Sequence, residues 1–108
     1  VDVVARWIDA IRPSLTGRDA FMARVAVNAL GIVGRELASG QADEAAATAR
    51  FAALLGHGGD FESLNAELCR QLREGAMDRD TPGLLDALAA TVGAQIAIDQ
   101  PNYKPDQA

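Results

Sequence analysis

Residues 19–40, DAFMARVAVNALGIVGRELASG, limit the folds open to this chain more than any other stretch. They form its longest apolar-rich run. Projected at about 100° per residue, Met22, Val25, Ala26, Ala29, Leu30, Ile32, Val33 and Leu37 spread over roughly half of a helical circumference. A helix lying on a surface carries a narrower stripe, so this one asks for cover from several neighbours. The spacing predicts a long central helix, started by an Asp19 cap and stopped at Gly40 in the left-handed conformation that closes many helices.

The remaining segments are also helical in pattern. Val4, Trp7, Ile8 and Ile11 recur at helical spacing over residues 1–12, and Pro13 ends that helix because the residue before a proline is pushed out of helical dihedrals. After Gly40, residues 42–55 read as an alanine-rich helix with a weak stripe of Phe51, Leu54 and Leu55. Asp60 caps a fourth helix with core face Phe61, Leu64, Leu68 and Leu72, ending near Gly75. Thr81-Pro82 starts a fifth, a cap followed by proline at the first helical position, with Leu84, Leu85, Leu88, Val92 and Ile96 buried and Pro101 as its stop. The tail NYKPDQA reads as extended. Connections are short, which favours antiparallel neighbours. The expected fold is all-α with five helices. The second to fifth form an up-down-up-down four-helix bundle, the N-terminal helix packs alongside, and residues 1–108 make one domain.

Composition narrows the function. Alanine is abundant and β-branched runs are scarce, which suits helices. A net charge of −5 and a single lysine, Lys104, argue against nucleic acid, where a basic stripe is expected, and against anionic membrane surfaces. One cysteine, Cys69, cannot form an internal disulfide, so a reducing cytoplasm is the expected location. No apolar run approaches bilayer length and no signal peptide is visible.

Polar residues inside apolar stripes carry the functional information. Asn65 falls among Phe61, Leu68 and Leu72; Gln95 and Asp99 fall on the stripe of Leu88, Val92 and Ile96; Arg24, Asn28 and Arg35 share a narrow strip of the central helix. Asp99 also opposes the helix macrodipole in a last turn, so a donor or cation is expected beside it. In the up-and-down topology Arg24, Asn28, Asn65, Gln95 and Asp99 gather at one end, with Tyr103 arriving from the tail. An antiparallel register that pairs Asn28 with Gln95 also pairs Arg24 with Asp99. This cluster of six is the candidate binding site. The plainer reading is a buried network that fixes helix register.

Other motifs say less. GHGGD lacks the Lys-Ser/Thr pair of a phosphate loop and reads as a turn, with His57 solvent-exposed. Cys69, at a stripe edge, reads as a small core residue. Gly31, Gly34 and Gly93 read as points of close approach between the second and fifth helices. Trp7 reads as core or subunit contact, and Asp43, Glu44, Glu62, Glu67 and Glu74 as a solvated face. No metal set, cofactor motif or catalytic set stands out, so none is assigned.

Phe21-Met22-Ala23-Arg24-Val25-Ala26, Asn28-Ala29-Leu30, Arg35-Glu36-Leu37, Leu64-Asn65-Ala66-Glu67-Leu68-Cys69 and Ile98-Asp99-Gln100-Pro101-Asn102-Tyr103 together resemble a small bacterial family of unknown function. The resemblance covers nearly the whole chain. It implies a stand-alone helical protein encoded beside aminoglycoside-phosphotransferase-like kinases and acyl-CoA dehydrogenases. The leading expectation is therefore a non-enzymatic accessory or regulatory protein that interacts with a phosphotransferase-like or acyl-CoA-metabolising enzyme. The alternative is a small-molecule binder, for an acyl-CoA or a phosphorylated metabolite, using the polar end with Arg24 on the anion. A third reading, an enzyme with Asp99 as base and Tyr103 or His57 as acid, rests on residue types alone. Weakly polar outer faces on the third and fifth predicted helices suit a homodimer.

Overall fold

A computed structural model describes residues 1–104 as helices α1 (Asp2–Ile11), α2 (Gly17–Leu55), α3 (Phe61–Glu74) and α4 (Leu84–Asp99), with a 3-10 turn, Arg12–Ser14, after α1. No strand occurs among the described residues, and the last four residues of the expected extended tail lie outside them. The all-α class holds. The five helices and the four-helix bundle do not, because the second and third expected helices are one helix of 39 residues.

Gly40 is where the expectation fails. It keeps helical dihedrals, and among the described residues left-handed backbone occurs only at Gly17, Gly56, Gly75 and Gly83. The Glu36 side chain, one turn back, fills the space that a Cβ at Gly40 would take. A helical glycine costs about 1 kcal/mol against alanine, a cost that its helix-forming neighbours Ala38, Gln41 and Ala42 outweigh. Without a reversal at Gly40, the up-and-down order that gathered six polar residues at one end has no basis.

The chain divides at this same place into two compact units, Val1–Gly40 and Gln41–Ala108. The first is a helical hairpin. Pro13 occupies the start of the 3-10 turn, and the Ser14 hydroxyl donates to the Ile11 carbonyl at 2.6 Å. Gly17 begins α2 with φ +58°, a conformation only glycine takes without strain. The hairpin is antiparallel: Val1 comes within van der Waals reach of Gly34, while Pro13 and Leu15 lie beside Ala20. Ala20, Ala23, Val27, Leu30 and Gly34 form the covered side of α2, yet Ala23 alone is fully buried in this unit.

The second unit has a true core. Phe51, Leu64, Leu68, Met77 and Leu84 are buried together, with Ala52, Leu54, Leu55, Phe61 and Leu88 packed against them. The Phe51 and Phe61 rings stack at 5.8 Å, a contact worth about 1 kcal/mol beyond its area. Asp60 caps α3 as expected, accepting from the Ser63 amide at 2.7 Å, and Gly75 closes it at φ +77°. The α4 start differs. Thr81 and Pro82 belong to the preceding turn, where the Thr81 hydroxyl accepts from the Asp78 amide, and α4 begins after Gly83 in left-handed conformation. Its buried face is Leu84, Ala87 and Ile98, whereas Leu85 and Val92 are more than half exposed. The hydrophobicity of α4 is too even around the circumference for spacing to choose a face. Leu72, expected in the core, is also exposed.

Candidate functional site

The six residues of the expected cluster are all exposed, and no polar or charged side chain is buried among the described residues. A buried register-fixing network is therefore not what they form. Arg24 and Asn28 stand on α2 in the first unit; Asn65 stands on α3, Gln95 and Asp99 on α4, and Tyr103 just beyond α4, all in the second. Within the second unit, Gln95 and Asp99 are brought together. The Gln95 amide nitrogen donates to both oxygens of Asp99 at 3.1 Å. The unfavourable last-turn carboxylate thus finds a donor from its own helix, one turn back. Tyr103 lines a separate cavity of about 260 Å³ with Gly93, Ile96, Ala97, Gln100 and Pro101.

Two constellations lay outside the expected set, and a third joins Arg24 to residues the set lacked. In the second unit His57, in the turn between α2 and α3, reaches Glu67 on α3 with Nε2 at 2.6 Å and the Gly58 carbonyl with Nδ1 at 3.0 Å. The Gly58 carbonyl and an ionised Glu67 both accept, so a ring protonated on both nitrogens satisfies the two contacts at once. This geometry belongs to the imidazolium. The Gly58 carbonyl first, and then the Glu67 carboxylate, accordingly raise the His57 pKa above its ordinary 6.5. Glu67 is further approached by Arg70 at 3.7 Å and Gln71 at 3.4 Å. The Asp60 cap has its pKa lowered, chiefly by the Ser63 amide that its carboxylate accepts.

Also in the second unit, Arg50 on α2 donates to the Thr91 hydroxyl on α4 at 3.2 Å, and that hydroxyl in turn donates to the Ala87 carbonyl at 2.8 Å. Arg50 borders a shallow depression with Leu54, Pro82, Gly83 and Asp86. In the first unit, Arg12 and Arg24 border a cavity of about 390 Å³ floored by Pro13, Leu15, Ala20 and Phe21. Sequence reasoning had Arg24 but not Arg12, because residues twelve apart meet only when a hairpin folds one onto the other.

Several smaller expectations change. Cys69 is exposed rather than core. Trp7 is 62% exposed and belongs to no core. The glycines have different surroundings: Gly34 is approached by Val1, Gly31 by the Arg35 guanidinium, and Gly93 by nothing within reach of a Cβ. No group of three His, Cys, Asp or Glu among the described residues is placed to hold a metal ion, and no helix is long and apolar enough to cross a membrane.

The larger anomaly is apolar. In the first unit Val3 (74%), Trp7, Phe21 (64%) and Leu37 (74%) are mostly exposed, and Val1, Val4, Met22, Val25, Ile32 and Val33 are exposed by a third to a half. On α2, Phe21, Met22, Val25, Ile32 and Val33 fall within an arc of roughly 120°, opposite the side that α1 covers.

These features define an all-α chain whose N-terminal hairpin presents large apolar side chains to solvent. A family model described as Domain of unknown function (DUF6285) matches residues 13–103, and the chain belongs to that family. The match runs from the hairpin turn to Tyr103 and leaves α1 before it. No curated protein and no solved structure matches the chain.

Proposed function

We propose that this chain is a non-enzymatic accessory protein that regulates an enzyme by seating the hairpin's apolar face on it. One observation carries the reading: ten large hydrophobic residues of the first unit are exposed, while that unit buries only Ala23. Contiguous apolar surface on this scale is uncommon on a monomer and marks interaction sites, and Phe21, Met22, Val25, Ile32 and Val33 share one arc of α2. Scattered exposed leucines need no explanation, but a stripe running from Phe21 to Val33 on one side of a helix does.

The resemblance described above suggests the partner class, a phosphotransferase-like or acyl-CoA-metabolising enzyme. A second copy of the chain is the competing occupant. Co-purification tests the reading. Wild-type chain is expected to co-elute with the kinase-like or dehydrogenase partner, and Phe21→Glu with Val25→Glu to elute alone while keeping the wild-type circular dichroism. Co-elution undiminished by the double substitution contradicts the proposal, and a sedimenting dimer that the substitutions dissolve assigns the face to self-association instead.

A second reading, binding of a small anionic metabolite, is favoured by the solvent-open cavity that reaches Arg24.

A further inference from the structure

The geometry points to the cavity at the hairpin turn as a binding site for an organic oxyanion, a carboxylate or phosphate monoester, that carries a short apolar or aromatic group. This rests on the second reading above and gives it a site and a ligand class. Arg12 and Arg24 supply two guanidiniums to one cavity whose remaining wall is apolar: Pro13, Leu15, Ala20 and Phe21. Arg12 has a partial counter-charge in Asp9, at 3.3 Å. Arg24 makes no hydrogen bond or ion pair with any described residue.

Two like charges bordering one cavity, offset only by the Arg12–Asp9 pair, leave a site that favours an anion. The surrounding field has the same sign. Between Arg12 and Arg24 the sequence holds Arg18 and only one carboxylate, Asp19, and Arg18 stands in the first turn of α2, at the positive end of the helix dipole. A guanidinium offers paired N–H groups that match a carboxylate or phosphate in two parallel bonds. The apolar wall then selects among anions. Phe21 is 64% exposed, so a ligand with an apolar group recovers surface from water that a bare anion leaves wet. The volume of about 390 Å³ lies at the small end of ligand cavities, which suits a single ring or a short chain.

Titration of the full chain, followed by amide and arginine side-chain resonances, tests this with phenyl phosphate, hexanoate, inorganic phosphate and hexan-1-ol as probes. Phenyl phosphate and hexanoate are expected to shift Arg12, Phe21 and Arg24 saturably, inorganic phosphate to bind at least about tenfold more weakly, and hexan-1-ol to leave Arg24 unmoved. Arg24→Gln is expected to weaken the two organic anions by at least about tenfold with unchanged circular dichroism, and Arg79→Gln, on the second unit, to leave them unchanged. Inorganic phosphate binding as tightly as phenyl phosphate overturns the apolar part of the site. Shifts confined to residues away from the hairpin turn overturn this assignment while leaving a metabolite binder standing. No saturable shift with any anion overturns both.

Discussion

At the scale of single residues, the turn after α2 is held by two charged side chains with opposite pH behaviour. The His57 pKa is raised, so its contribution is complete below the ordinary 6.5 and lost as pH rises through the folded value. The expected outcome is a melting temperature for wild type that exceeds that of Glu67→Gln most clearly near pH 6 and converges with it as pH rises. Melting curves of the two proteins across that range check it; a constant difference would show that the imidazolium is not involved. Asp60 runs the other way. Its pKa is lowered, so the cap is at full strength above the ordinary 3.8 and is lost as pH falls through the folded value. Asp60→Ala is therefore expected to lower the melting point at neutral pH and to matter little in strong acid, while Asp60→Asn keeps most of the cap. Of this pair the sequence disclosed Asp60, since a cap is a local pattern. The partnership of His57 with Glu67 was hidden, because each residue read alone is a solvated polar group, and only the turn's path brings them to 2.6 Å.

At the scale of elements, a glycine can close a helix or pass through one, and the letter is the same. Gly75 and Gly40 both follow amphipathic runs; Gly75 closes α3 at φ +77°, and Gly40 does not close α2. The difference lies downstream. After Gly75 comes a turn held by Asp78 and Thr81, whereas after Gly40 comes another fifteen residues of alanine-rich helix with nothing to stop it. Gly40→Ala is accordingly expected to stabilise the chain by about 0.5–1 kcal/mol once the flexible Glu36 side chain swings aside. Gly83→Ala is expected to destabilise by about 1–2 kcal/mol, because φ +82° is costly for any residue with a Cβ. Denaturant unfolding of both variants checks the pair, and a loss at Gly40 would restore the turn that the sequence suggested. The face of α4 was illegible for a related reason. Where alanine and large apolar residues surround a helix, hydrophobic spacing names several possible faces, and packing chooses Leu84, Ala87 and Ile98.

At the scale of the whole chain, burial and charge are both divided unequally. The fully buried large side chains, Leu64, Leu68 and Leu84, all belong to the second unit. Leu64→Ala is expected to cost about 2–5 kcal/mol, by loss of transfer energy and by the cavity it leaves. Phe21→Glu, at an open position, is expected to stay within about 0.5 kcal/mol of wild type. Thermal and denaturant unfolding compare them, and a large loss from Phe21→Glu would mean that the face is covered within the chain. Charge follows the same division. Val1–Gly40 carries five arginines against four carboxylates, and the rest of the chain carries five basic residues against eleven acidic ones. The overall −5 therefore conceals a hairpin that is slightly basic. The class of fold was legible from composition and periodicity. Placing the six polar residues at one end depended on a reversal at Gly40 that α2 does not make.

The most direct measurement is a hydroxyl-radical footprint of the full chain, alone and mixed with the proposed kinase-like or dehydrogenase partner. If the hairpin face is the binding surface, Trp7, Phe21 and Met22 label readily in the free chain and become protected on mixing, while Leu85 and Val92 on α4 keep their labelling. Protection of Leu85 and Val92 with Trp7, Phe21 and Met22 unchanged, or equal labelling of all five with and without partner, contradicts the account.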